Sequence, residues 1–261
     1  MSLLDSHARE GRFARINPVT KLAAAGIIAV PLVLTLDVVS AATALVLELL
    51  LVPFAGVGWR EFWARTWPVW LAAPLTALTI ALYGESRGTV FLEWFVVRVS
   101  EGSLLLAAAT FFRVLAIALP SVVMFLTVDP TDLADGLGQI VRLPARFVMG
   151  ALAGLRMVGL FIDDWRALEL ARRARGVADR GRIRRLVGMA FALLVLSIRR
   201  GTKLATAMEA RGFGADVPRT WARASHLGWG DAVLAAIATV IAAASVAAAL
   251  VAGTWAFIFS A

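Results

Sequence analysis

Cysteine is absent from the 261 residues. That excludes disulfides, thiolate metal sites and cysteine nucleophiles. Histidine occurs only as His7 and His226, far apart in sequence and a poor start for a metal centre. No GxxxxGK followed by Ser or Thr occurs, so ATP is not bound through that motif. Charge is scarce, at 17% of residues where soluble domains carry roughly 25%. Lysine is almost missing: Lys21 and Lys203 are the two, and the other 24 of the 26 basic residues are arginine. Met1–Arg15 is polar and lacks the apolar core and small-residue cleavage site of a signal peptide.

What fills the chain instead is apolar. Hydrophobic residues make up 60% and mean hydropathy is +0.81. This composition excludes disorder, collagen and a simple cytosolic enzyme, and points to an integral membrane protein. The pI near 11.3 fits nucleic-acid binding as well as a basic cytoplasmic membrane face, and the hydropathy favours the membrane.

A spanning helix needs roughly 17–25 mostly apolar residues. Five stretches qualify as candidates: Leu22–Leu36 (with a start as early as Pro18), Val38–Val57, Thr66–Gly84, Gly102–Val128 and Ala232–Ala261. Asp37 marks a tight turn between the first two. Basic residues accumulate on the cytoplasmic side. An N-terminus inside places 23 of the 26 there, 17 of them in residues 129–231. The chain thus reads as an all-α integral membrane protein of about five transmembrane helices. Residues 1–128 form an N-terminal membrane region of about four spans with a cytoplasmic N-terminus, 129–231 a cytoplasmic region, and 232–261 the last transmembrane helix. The 85–101 segment is an outside loop.

Glu48 and Arg113 fall inside predicted spans. Charges at membrane depth are costly and are usually paired or in a polar cavity. The two are expected to pair, as a structural ion pair packing two helices or as part of a transport pathway. Trp59, Trp63, Trp67 and Trp70 read as an interfacial aromatic belt beside a span rather than a base-stacking platform.

Residues 129–231 are the informative part. Asp129-Pro130 ends the fourth span, Thr131 is placed to cap a short helix, and Leu143-Pro144 breaks that helix. Val148, Leu152, Leu155, Val158, Ile162, Trp165 and Leu168 recur at three- and four-residue steps, predicting a long amphipathic helix, interrupted or bent near Gly150 or Gly154. It ends at Ala174-Arg175-Gly176. A second helix runs from about Arg182 through the uncharged Leu186–Ile198 to Ala210-Arg211-Gly212. Arg before Gly is ordinary helix-ending chemistry. Two copies 36 residues apart, each closing a long helix, are less ordinary.

These features resemble the transmembrane T component of energy-coupling factor transporters, ABC-type importers of vitamins and transition-metal ions. The resemblance starts with Asn17-Pro18-Val19-Thr20-Lys21-Leu22, similar to the family's Asp-Pro-Arg-Thr-Lys-Leu motif at the start of the membrane region. It continues through Thr127-Val128-Asp129-Pro130 with Leu133, and through Ala171–Gly176 and Ala207–Phe213, similar to the two coupling-helix signatures. It implies a multi-pass protein of the bacterial cell membrane that holds no cofactor, no metal and no nucleotide. It implies two cytoplasmic ATPases, identical or different, as partners, and a small membrane S component that binds substrate. Ala174, Arg175, Gly176, Ala210, Arg211 and Gly212 are then the ATPase-coupling residues, and Asn17, Pro18, Thr20 and Lys21 the N-terminal motif. The physics agrees: arginine is always charged and presents five donors, and the small flanking residues permit close approach.

Two other readings remain open: a conventional ABC permease subunit with its own substrate path, and an integral membrane enzyme. The enzyme would want clustered carboxylates, and Asp163-Asp164, the one Asp pair, reads as a solvated face pairing with Arg166 or Arg156. Arg184, Arg185, Arg199, Arg200 and Lys203 suit anionic membrane lipid.

Overall fold

The computed structural model describes residues 13, 16–56, 58–84, 88–94, 97–176, 181–215 and 220–255. His7, Arg9, Arg12, Arg15, Glu85, Arg87 and the last residues of the final predicted span, 256–261, lie outside the described residues. Eight α-helices are seen among the described residues: α1 Pro18–Leu34, α2 Val38–Leu51, α3 Trp59–Tyr83, α4 Glu101–Leu126, α5 Pro130–Gln139, α6 Ala145–Ala174, α7 Arg182–Ala210 and α8 Trp229–Val251. The fold is an all-α membrane protein. Four helices, α3, α4, α6 and α8, are long and apolar enough to cross a membrane.

The chain divides into two compact units, cut between Leu133 and Ala134 and between Ala224 and Ser225. The larger holds α1–α4 and α8. Its axis is α4, which packs on α1, α2 and α3, while α8 packs on α1 and α2. The contact faces are small: Ala24, Ala41, Ala44, Ala116 and Ala238 are buried between the helices beside Ile28, Leu32, Leu115 and Leu119. Small residues let backbones approach, which is how helices gain packing energy where no hydrophobic drive separates them from lipid. Opposite faces carry Val46, Leu50, Leu71, Leu75 and Leu78, all exposed.

Local chemistry sets the boundaries. Asn17 accepts a hydrogen bond from Val19 N–H and so caps α1, with Pro18 in its first turn. Asp37 caps α2 by accepting from Ser40 N–H at 2.8 Å. α1 and α2, at 17 and 14 residues, rise only about 25 and 21 Å. α2 therefore stops short of the predicted Val57 and passes into a 3₁₀ turn, Val52–Ala55. α3 begins at Trp59, earlier than predicted, so the tryptophans belong to its first turns. Trp59 and Trp63 meet edge to face at 5.7 Å between ring centres. α8 ends at Val251 rather than running to the C-terminus, because Gly253 turns left-handed (φ 65°) and Thr254 N–H bonds back to Ala249 O.

The predicted 85–101 loop contains an antiparallel pair of strands, β1 Val90–Trp94 and β2 Val97–Ser100. Valine and aromatic residues dominate this stretch and favour extended backbone. Ser100 then starts α4 by a reciprocal cap with Ser103, each side chain accepting from the other's N–H.

The second unit holds α6 and α7. α6 is helical without interruption through Gly150 and Gly154. Its apolar residues spread more widely than the predicted stripe: Phe147, Leu160 and Leu170, off that stripe, are exposed along with Leu155 and Val158. α7 is the more strongly amphipathic of the two.

Candidate functional site

The two Ala-Arg-Gly tripeptides adopt the same conformation. α6 ends at Ala174, with Arg175 at φ −86° and ψ 2° as its cap and Gly176 left-handed at φ 67°. α7 ends at Ala210, with Arg211 at φ −93° and ψ 13° and Gly212 at φ 78°. Glycine adopts this backbone without the Cβ penalty other residues meet. At the end of α7 the turn is closed by Gly212 N–H to Glu209 O at 2.9 Å and Phe213 N–H to Met208 O at 2.9 Å. At the end of α6, Gly176 N–H bonds Arg173 O at 3.0 Å. Arg175 and Arg211 are exposed, and neither guanidinium has an ion-pair partner among the described residues.

The two arginines are not brought together. α6 and α7 run antiparallel, joined by Glu169 with Arg185 (2.6 Å) and by Asp164 with Arg200 (2.7 Å). The first pair holds the end of α6 beside the start of α7, and Arg211 lies at the other end of α7. A 29-residue helix is about 43 Å long, so the two exposed arginines stand on the order of 40 Å apart.

Asp163 pairs with Arg166 at 3.6 Å on an exposed face, as predicted, but Asp164 turns to α7. Arg185 and Arg200, two of the five residues offered to lipid, are thus engaged within the protein.

The N-terminal motif builds a junction of three helix ends in the larger unit. Asn17, Pro18, Thr20 and Lys21 are all buried. Asn17 N–H donates to Asp231 Oδ1 at 2.8 Å, and its side-chain amide donates to Ser225 Oγ at 2.9 Å. Asp231 Oδ2 also accepts from Gly228 N–H at 2.6 Å, which starts α8. Lys21, only 1% exposed, donates from Nζ to Thr127 O at 3.1 Å. That carbonyl closes α4, and a cation is favoured at a helix C-terminus. Asp231 and Asp132 add negative charge near Lys21. Nothing in the sequence marked Asp231, 214 residues away from Asn17.

The expected Glu48–Arg113 pair is not formed. Arg113 Nη2 donates to Thr35 O, the last turn of α1, and Asp37 is the acid near it. Asp37 belongs to a buried knot with Ser40 and Thr35. The cause is axial offset. Arg113 lies level with the start of α2, and Glu48 is eleven residues past Asp37, roughly 16 Å along the helix. Both Glu48 carboxyl oxygens are buried and lack a hydrogen-bond partner among the described residues.

The short helix α5 also differs from expectation. Its cap is Asp129, whose Oδ1 accepts from Thr131 N–H at 2.8 Å, with Pro130 in the first turn. Gly138 in this helix, flanked by nothing that the sequence makes special, meets Trp221: a Cβ there would collide with Cη2 of the indole. Gln139 Nε2 donates to Arg223 O at 2.8 Å beside it. Gly138→Ala is therefore expected to displace Trp221 and to cost about 1–3 kcal/mol, the range for inserting a methyl into a packed contact. Thermal unfolding of the purified protein checks this, and an unchanged midpoint would contradict the contact.

The sequence that carries these helix ends has counterparts among known proteins. The family model described as cobalt transport protein, CbiQ, matches residues 12–221. The chain belongs to this family. Several relatives of this CbiQ-family chain are named energy-coupling factor transporter transmembrane protein EcfT. That of Limosilactobacillus fermentum is 29% identical over 194 residues, covering 70% of this chain and 72% of its own. EcfT 1 of Listeria monocytogenes is 28% identical over 209 residues, covering 75% and 77%. The Lactococcus lactis protein reaches 32% over 158 residues, covering 56% and 59%. The CbiQ match takes in both Ala-Arg-Gly ends and the N-terminal motif, and stops before α8.

Proposed function

We propose that this chain is the transmembrane coupling (T) subunit of an energy-coupling factor importer, transmitting ATP-driven motion of two cytoplasmic ATPases to a substrate-binding S component. The cargo class is a vitamin or a transition-metal ion, recognised by the S component. The chain itself is non-catalytic. The observation that carries this reading is the matched pair of helix ends, each presenting an exposed arginine with no ion-pair partner among the described residues on a glycine-stopped turn. Their separation of roughly 40 Å suits two separate ATPase subunits rather than two contacts on one groove. The apolar faces exposed on α6 and α7 suit a second membrane subunit, because contiguous exposed apolar surface marks an interaction site. Arg184, Arg199 and Lys203, exposed on α7, suit anionic lipid headgroups.

The direct test is co-purification in detergent of the full chain with ATPases from the same genome. Stable capture supports the coupling role. No capture from any candidate pair returns the chain to the permease reading.

In this reading the N-terminus, the 129–231 region and the plasma-membrane cytoplasmic face lie together, and the β1–β2 hairpin lies outside. Five crossings use α1, α2, α3, α4 and α8, and α6 belongs to the cytoplasmic region despite its apolar length. The absence of native cysteine makes this testable with single substitutions. Thr89→Cys is expected to react with an impermeant maleimide from outside intact cells, and Ala205→Cys only after lysis. Labelling of Ala205→Cys in intact cells would reverse the topology.

A further inference from the structure

Between α1, α2, α4 and α8 lies a cavity of about 220 Å³. Its walls include Leu45, Leu119, Val123, Leu234 and Ala238, and Glu48 is the one ionisable residue among the described lining. Glu48 is 7% exposed. Among the described residues neither carboxyl oxygen has a hydrogen-bond partner, and the described walls offer it no side-chain donor. A buried carboxylate left alone is among the costliest groups a protein can hold, so its retention points to a ligand that completes it.

Position and shape narrow that ligand. Glu48 is one turn from the end of α2, Met124 one turn from the end of α4, and Leu234 one turn from the start of α8. The cavity therefore sits at the interfacial end of the bundle rather than at its middle. Leu49, Phe54 and Ile237, which also line it, are exposed and form a rim open to the surroundings. An apolar cavity of about 150 Å³ admits benzene. This one takes a ring or the first segment of an alkyl chain, with the remainder passing out across the rim. A partner for two acceptor oxygens must bring N–H donors, and a cation also compensates the charge.

We infer that the Glu48 cavity binds the primary ammonium head of an amphiphile, with its apolar body against α4 and α8. Two sources share that chemistry, an aminophospholipid of the bilayer and a free long-chain amine.

Native mass spectrometry of the full chain in detergent separates them. The probes are phosphatidylethanolamine against phosphatidylglycerol of the same acyl chains, and dodecylamine against dodecanol. The wild type is expected to retain the amine member of at least one pair about tenfold better, the effect of one charge-assisted hydrogen bond. Preference within the lipid pair alone assigns the site to a bilayer lipid, and preference within the dodecyl pair alone to a free amine. Glu48→Gln is expected to bring the retained pair within about twofold. Leu49→Trp, a rim change that leaves the carboxyl in place, is expected to lower retention of the amine probe and serves if Glu48→Gln does not fold. Equal retention of amine and amine-free probes by the wild type overturns the proposal, as does an amine preference that survives in Glu48→Gln or retention of the amine probe that is undiminished in Leu49→Trp. The measurement needs neither ATPase nor S component, so its outcome is independent of the coupling role.

Discussion

Charge reversal at both helix ends, Arg175→Glu with Arg211→Glu, is expected to abolish ATPase capture while leaving the fold intact. The fold should survive because both side chains are exposed and unpaired among the described residues, and the turns rest on Gly176 and Gly212 backbone bonds rather than on the guanidiniums. An interface arginine that acts as an anchor is worth at least about 2 kcal/mol on truncation, roughly thirtyfold in affinity. Reversal adds repulsion wherever the arginine met a carboxylate. The two ends, roughly 40 Å apart, share no partner, so their losses should add. Each single variant is expected to weaken capture about thirtyfold and the double variant about a thousandfold, with the same elution profile in gel filtration. Equal capture by a well-folded double variant would make the tripeptides helix caps and nothing more. Loss in one single variant and none in the other would mean a single docking end.

The second large effect is expected at Asp231. Its carboxylate holds Asn17 N–H and Gly228 N–H at 2.8 and 2.6 Å, and it lies near Lys21. Asp231→Ala leaves two N–H groups without an acceptor where Asp231 itself was 7% exposed. Each unsatisfied buried donor costs about 1–3 kcal/mol, and loss of the start of α8 belongs to the same removal. A total of about 3–5 kcal/mol should lower the unfolding midpoint by roughly 10 °C, since 1 kcal/mol moves a domain of this size by about 2–4 °C. Asp231→Asn keeps one acceptor oxygen and is expected to recover about half of the loss. A midpoint for Asp231→Ala close to that of the wild type would show that the three-helix junction contributes little to stability.

The Asp231 junction also shows where sequence reading stops. Asn17-Pro18-Val19-Thr20-Lys21 was legible as a motif and Pro18 as a helix start, because proline suits a first helical turn, while the Asn17 cap came from the structure. The partner of Asn17 lies 214 residues on, and no local pattern points there. Lys21 was legible as a lone basic residue at a membrane boundary, and its docking on the Thr127 carbonyl was not. The same limit explains Glu48 and Arg113. Each could be seen to lie in a span, and two opposite charges invite pairing. Whether they meet depends on the axial offset of α2 against α4, which hydropathy leaves open.

The sequence by itself determined that this is a helical membrane protein, where its long helices run, and that two of them stop at Arg-Gly. Those properties follow from burial of apolar side chains, from backbone hydrogen bonds closed within a helix, and from the one residue type that turns left-handed without strain. Only the tertiary structure decided that Arg113 answers to Thr35 and Asp37 and that Glu48 has no hydrogen-bond partner among the described residues in its apolar cavity. It alone decided that Gly138 makes room for Trp221, and that Arg175, at the end of α6, stands near the start of α7 while Arg211 stands at its far end. Each of these is set by how one helix is displaced and turned against another, and that depends on packing summed over many side chains at once.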